Sequence, residues 1–291
     1  MLIRSLTLIL GALWLTSCGA LEDSGEDLPP PSPALWEATG PESERVWLFG
    51  TIHALPDDTE WRTPALERVL AETDLLLVEI ADLGEREQAA LAFEARAYDV
   101  GLVPILDRVP GRQKAMLAAS LDAAGIDPAS LIHTETWAAA LQLGNAARCS
   151  NAANGVDRAL LARFDNARSL ESFDRQFAVF DGLPDDAQAD LLVSVAEESD
   201  CRAGNARRAA WLAGDLQAIE TSILTSFRGN TDLRENLVDD RNAGYADQIV
   251  QFQASDPGQD LLVAVGVGHM LGETGLPALL SARGYRVRRI Q

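Results

Sequence analysis

Leu261-Leu262-Val263-Ala264-Val265-Gly266-Val267-Gly268-His269 is the stretch on which the fold turns. Five consecutive apolar residues mark a strand buried on both faces of a sheet, and the glycines after them end it. The same arrangement stands near the other end of the chain, where Val46-Trp47-Leu48-Phe49 runs into Gly50-Thr51-Ile52-His53. Between Phe49 and the next apolar run, Leu75-Leu76-Leu77-Val78-Glu79-Ile80, Thr63-Pro64 reads as a helix cap followed by Pro at the first helical position. That makes strand, helix, strand. At the C-terminus, Gly275 to Arg283 reads as a helix stopped by Gly284, and Tyr285 to Ile290 alternates as a strand with its basic side outward. From about Glu85 to Ile249 the chain is Ala- and Leu-rich at helical spacing, as in Ala89 to Phe93, Lys114 to Ala124, Trp137 to Ala147 and Ala187 to Ala196. The expected fold is therefore α+β, a mixed β-sheet built from N- and C-terminal strands enclosing a large helical insertion.

The 291 residues carry 24 Lys+Arg against 44 Asp+Glu, a formal charge of −20. Such a surplus argues against nucleic acid or an anionic surface as a partner of the folded body. Residues 1–17 read as a signal peptide, with Arg4 before the apolar run Leu6 to Leu15, which is short for a span of ~20 residues. Leu15-Thr16-Ser17-Cys18 is similar to the bacterial lipobox, so Cys18 is expected to be lipidated and to hold the protein on a membrane; a plain signal with an incidental Cys is the alternative. Residues 18–34 then form an acidic, Pro-rich tether, and 35–291 a single domain. The expected location is the cell envelope, facing the periplasm. Disulfides form there, so Cys149 and Cys201 are either a pair or two buried thiols.

Only three histidines occur, and two of them, His53 and His269, end the matched Gly-x-x-His motifs. Glycine past a buried strand lets the backbone turn sharply at the sheet edge, where sites of α/β proteins lie. If the two strands are neighbours, both imidazoles share one crevice. Glu79, between Val78 and Ile80, would be costly to bury unless paired or metal-bound. Each residue alone has a structural explanation, a hydrogen-bonded core His or a partner for a buried Arg. Together, two imidazoles and a carboxylate suit a divalent transition metal. His133 precedes a helix for which Thr134 is the expected cap, and it is a weaker candidate for the site. Asp157, in Gly155-Val156-Asp157, reads as a helix cap in preference to a catalytic group, and Glu273 as a helix-start residue or a partner of His269. Neither a Gly-x-Ser-x-Gly elbow nor His-Glu-x-x-His is present.

These motifs, with the C-terminal pattern Val265-Gly266-Val267-Gly268-His269, Gly272, Gly275-Leu276, Leu280, Gly284-Tyr285 and Val287, resemble the TraB/GumN family over about residues 35–291. Interior matches include Gly155-Val156-Asp157, Leu170-Glu171 to Gln176, Trp211 to Asp215, and Arg241-Asn242. The resemblance implies a fold shared with the TIKI proteases and with erythromycin-esterase and haem-binding ChaN-like groups. It implies a metal held by His53, His269 and Glu79, with Arg241 and Asn242 as the family's Arg-Asn segment. TIKI members are metal-dependent proteases, for which Mn or Co is the usual suggestion. The implied activity is metal-dependent, peptidase-like hydrolysis of a peptide or small-molecule substrate with Mn, Co or Zn, and Glu79, Arg241 and Asn242 are its expected catalytic residues. In that reaction Glu79 either ligates the metal or takes a proton from water, and Arg241 either stabilises an oxyanion or pairs with Glu79. The alternative is a non-catalytic lipid-anchored protein that binds a metal or haem.

Overall fold

The computed structural model describes residues 30–146 and 150–291. The expected signal peptide, Cys18, most of the tether and Cys149 lie outside them. Among the described residues, no helix is long and apolar enough to cross a membrane.

Six strands form one mixed sheet: β1 (Leu35–Thr39), β2 (Arg45–Thr51), β3 (Leu75–Val78), β4 (Ala167–Ser169), β5 (Leu261–Gly266) and β6 (Arg286–Arg289). Their order is β4-β3-β5-β2-β1-β6. β4, β3, β5 and β2 run parallel, and β1 and β6 add an antiparallel edge. The two ends of the chain thus share one sheet, and the fold is α+β. β5 lies between β2 and β3, with Gly50 opposite Val265 and Thr51 opposite Gly266. Both Gly-x-x-His segments therefore leave the same edge side by side.

The sheet is covered on both faces, as its unbroken apolar strands require. On one face Trp47, Phe49, Leu76, Val78, Leu262 and Ala264 pack against helices α1 (Pro64–Glu72), α5 (Val156–Leu161) and α8 (Arg202–Ala213). Thr63 caps α1 through its hydroxyl, which accepts from Leu66 N–H at 3.1 Å, and Leu66, Val69 and Leu70 turn inward. Burying each contributes about 1.5–3 kcal/mol. On the other face Val46, Leu48, Leu77, Val263 and Val265 meet α11 (Asp240–Ser255) and α12 (Leu276–Ala282).

The insertion supplies α2 (Arg86–Glu94), α3 (Lys114–Ala123), α4 (Thr136–Ala146), α6 (Phe173–Asp181), α7 (Asp185–Glu197), α9 (Leu216–Ser226) and the short α10 (Thr231–Arg234). Its helices α3, α4 and α7 bury their own apolar cluster around Leu117, Leu143 and Leu192. Two strands are not delimited by a continuous apolar run. β4 is three residues with no buried side chain, and β1 is read only as the start of the fold. The end of the expected tether is also packed: Ser32 N–H donates to the Leu212 carbonyl and Ala34 is buried. Helix α4 begins at Thr136, so Thr134 stands two residues before it and pairs instead with Tyr98 in an isolated bridge.

Candidate functional site

Beyond the C-terminal ends of β2, β3 and β5, three expected side chains meet. Glu79 follows β3 directly, and its Oε1 lies 3.9 Å from His53 Nε2 and 3.8 Å from His269 Nε2. The same oxygen accepts from Gly266 N–H at 2.8 Å. A Cβ on Gly266 would stand 3.2 Å from both Glu79 Oε1 and His53 Nε2, so glycine there keeps the space between the donors clear.

Both imidazoles are held by their other nitrogen. His53 Nδ1 lies 2.8 Å from Asp157 Oδ2, while Asp157 Oδ1 accepts from the Thr51 hydroxyl at 2.7 Å. His269 Nδ1 lies 2.7 Å from Asn242 Oδ1. Because Asn242 Nδ2 donates to the Thr274 carbonyl at 2.8 Å, its Oδ1 is the acceptor and His269 Nδ1 carries the proton. With the proton on Nδ1, His269 turns its Nε2 lone pair toward Glu79, and His53 does so when its ring is neutral, the arrangement that second-sphere partners impose on metal-binding histidines.

Asp157 corrects the reading of Gly155-Val156-Asp157 as a helix cap. The cap position of α5 is Gly155, whose missing side chain matters because a Cβ would lie 2.3 Å from the His53 carbonyl oxygen. That close approach, with Val156 N–H donating to the Ile52 carbonyl at 3.0 Å, delivers Asp157 to His53. The motif was visible, but what it contacts was not.

Arg241 lies beneath. Its Nη2 donates to Glu79 Oε2 and to Glu171 Oε1, both at 2.6 Å, Nε donates to Glu171 Oε2 at 3.3 Å, and Nη1 to the Leu237 carbonyl at 2.9 Å. Glu171 lies in the Leu170-Glu171 to Gln176 family match, but nothing in the sequence marks it as a partner of Arg241. β4 brings it there, because Glu171 N–H donates to the Glu79 carbonyl in continuation of the β3–β4 ladder. Tyr245, one turn beyond Arg241 on α11, packs its ring 5.4 Å from that of His269. Two other expectations fall outside the site. His133 is exposed on the insertion, and Glu273 is exposed ahead of α12.

The charges follow from these contacts. Burial opposes ionisation of Glu79, but His269, Arg241, His53 and the Gly266 N–H outweigh it and hold its pKa down at about 2. Burial pushes His269 down to about 4, so it is neutral at physiological pH. For His53, loss of water around the inward-facing nitrogens works against charge, yet Asp157 and Glu79 raise it to about 9. Its side chain is still 65% exposed, so this ring forms the open wall of the site. With both imidazoles neutral, three carboxylates stand against one guanidinium, leaving two formal negative charges.

Among the described residues, no group of three or more His, Cys, Asp and Glu is drawn closely enough together to hold a metal as it stands. The separations of 3.8 and 3.9 Å exceed by roughly half an ångström the ~3.4 Å between donors of a tetrahedral ion with bonds of ~2.0–2.1 Å. The donor chemistry fits a divalent ion nonetheless: the unprotonated Nε2 of His269, the Nε2 of His53 once its proton is displaced, and one ionised carboxylate, with two excess negative charges when both imidazoles are neutral.

The fold and site are those of an α+β protein whose mixed sheet carries paired Gly-x-x-His segments and a buried Glu–Arg–Glu cluster at one edge. The chain belongs to the TraB/PrgY/gumN family, whose model matches residues 34–289. No curated relative and no solved structure matches it.

Proposed function

We propose that this protein is a metal-dependent hydrolase of the cell envelope that cuts a peptide or amide bond, with Mn, Co or Zn held by His53, His269 and Glu79. The observation that carries the reading is the convergence of two Nε2 atoms on Glu79 Oε1, each imidazole fixed by a separate partner. When bound, the ion supplies Lewis acidity to a carbonyl and to water.

The chain's own residues do the rest. Asp157 and Asn242 keep the Nδ1 protons in place and so keep the Nε2 lone pairs aimed. A carboxylate held at about 2 is a weak base at neutral pH, which favours Glu79 as a ligand over Glu79 as a proton acceptor. Arg241 donates from all three guanidinium nitrogens to Glu79, Glu171 and Leu237, so its part is to clamp Glu79 and not to meet an oxyanion. Exposed His53 is the side from which substrate approaches.

On this reading Cys18 anchors the protein and Cys149 pairs with Cys201. The test is elemental analysis of the purified protein, then peptide turnover after removal of metal and reloading with Mn, Co or Zn. His53→Ala should lose both metal uptake and hydrolysis. A His53→Ala protein that hydrolyses peptides at the wild-type rate overturns the proposal, and metal uptake without turnover in the wild type would favour a binding protein.

A further inference from the structure

The chain enters the folded body at the end of the sheet that carries the site. Leu35, the first residue of β1, stands opposite Phe49 of β2, just before the Gly50-Thr51-Ile52-His53 segment. Paired residues lie about 5 Å apart and each further residue adds at most about 3.5 Å, which puts Leu35 within about 20 Å of His53. In the sheet, β1 is the neighbour of β2 on the side away from β5. The exposed imidazole of His53, the open wall of the site, therefore lies toward the side where the chain enters.

The residues ahead of β1 are tied to this same end. Ser32 N–H donates to the Leu212 carbonyl at 2.6 Å, and Trp211, beside Leu212, donates from its indole to the Gly50 carbonyl at 2.8 Å. Gln291 Nε2 donates to the Pro33 carbonyl at 2.7 Å, and the hydroxyl of Thr63, the cap of α1, donates to Gln291 Oε1 at 2.6 Å. The β1–β2 turn around Glu42 marks the other end of the sheet, a strand's length of about 20 Å away.

We propose that the site faces the membrane and that its substrate is a polypeptide attached to the same bilayer, cut in the stretch that emerges from the lipid. The proposal rests on the hydrolase reading and on anchoring through Cys18, and adds the substrate class. Between Cys18 and Pro30 the chain reaches at most about 40 Å, and a folded unit of this size is about 45 Å across. With the site end toward the lipid, only a fraction of that reach is used. The inverted orientation would draw the chain to nearly full length around the body, and a fully drawn chain gives up its conformational freedom. The anchor does the holding, so the acidic body needs no attraction to the lipid. A substrate tied to the same surface meets the site at a high effective concentration that a free peptide lacks.

The experiment uses full-length protein purified with its anchor and placed on phosphatidylcholine vesicles. Orientation is read without activity, by energy transfer to headgroup-labelled lipid from a fluorophore on an azide-bearing residue in place of Glu60, exposed in the loop after β2, or of exposed Glu42. Transfer from position 60 should be at least about twofold stronger, because the two ends of the sheet are about 20 Å apart. Equal transfer, or stronger transfer from position 42, overturns the proposal, as does mass spectrometry that finds Cys18 without acyl chains. The metal-loaded protein should then cut a lipid-attached peptide at least about tenfold faster than the same peptide free in solution, and Cys18→Ser, which stays in solution, should show no such gain. Equal rates on the two forms by the anchored protein overturn the substrate class. If neither form is cut with any metal, the hydrolase reading fails, and capture by a photoreactive residue in place of Glu60 decides the ligand. Preferential capture of the attached peptide upholds a membrane-facing site, and equal capture of both forms overturns it.

Discussion

Arg241→Met should be among the most destabilising substitutions in this protein. The guanidinium is 10% exposed, Glu79 11% and Glu171 0%, so solvent screens the cluster little. Taking away the cation leaves two carboxylates facing each other without a counter-charge. Removing one partner of a buried pair typically costs about 3–5 kcal/mol. At about 2–4 °C per kcal/mol for a domain of this size, the melting temperature should fall by about 6–20 °C. Urea denaturation of metal-free protein gives the free energy directly, with the slope checking that unfolding stays two-state. Glu171→Gln should be milder, because Arg241 keeps Glu79. Replacing Glu79, Glu171 and Arg241 together by Leu should recover most of the loss, since a buried ionic cluster is often no better for stability than an apolar one. That triple variant should take up no metal. A loss below about 1 kcal/mol for Arg241→Met would refute the reasoning, because it would mean that the carboxylates find water or protons at no cost.

Asp157→Asn keeps the shape but removes the carboxylate from His53, and should lower metal affinity by about 10–100-fold in titrations of the apoprotein. Gly266→Ala puts a methyl group 3.2 Å from Glu79 Oε1 and His53 Nε2, and should weaken metal uptake more than it lowers the melting temperature. In metal-free protein His269 is held at about 4, below its unfolded value of ~6.5, so its contribution is present above pH 6.5 and is lost as pH falls through about 4. His269→Gln should flatten that part of the stability–pH curve measured by urea denaturation. If Cys149 and Cys201 pair, protein recovered from an oxidising compartment should show neither as a titratable thiol after denaturation. Their reduction should cost about 4 kcal/mol in the chain-entropy model for a loop of about 50 residues.

The parallel core was legible because its strands are written as apolar runs. Val46 to Phe49 and Leu261 to Val265 cannot be satisfied on a half-exposed sheet, and their matched Gly-x-x-His endings place His53 and His269 at one edge. What could not be read were residues whose role depends on a contact across the fold. Glu171 sits after a strand of three residues that has no apolar pattern, and only its ladder bond to Glu79 brings it into the cluster. Asp157 shows a helix-start pattern that many acidic residues share. Its distinction comes from Gly155 lying against the His53 backbone, a packing fact that sequence spacing does not encode.

The acidic balance of the chain and the chemistry of the site belong to different scales. The charge of −20 belongs to the whole chain, and as a general electrostatic matter it disfavours polyanions without selecting a particular ligand. The two negative charges left at the sheet edge when both imidazoles are neutral are different, because Glu79, Glu171 and Asp157 are all buried, and low-dielectric surroundings leave them strong. Without a cation the site relieves that field by drawing a proton onto His53, the one imidazole whose pKa is raised. On the proposed metal reading, a divalent ion would relieve it by binding to the same nitrogen. Proton and metal would then compete for His53 Nε2, while buried His269, neutral above about pH 4, would offer its lone pair. On the proposed reading, two histidines in the same motif sit in unlike surroundings because the buried one would be ready to ligate at neutral pH and the exposed one would set when ligation happens.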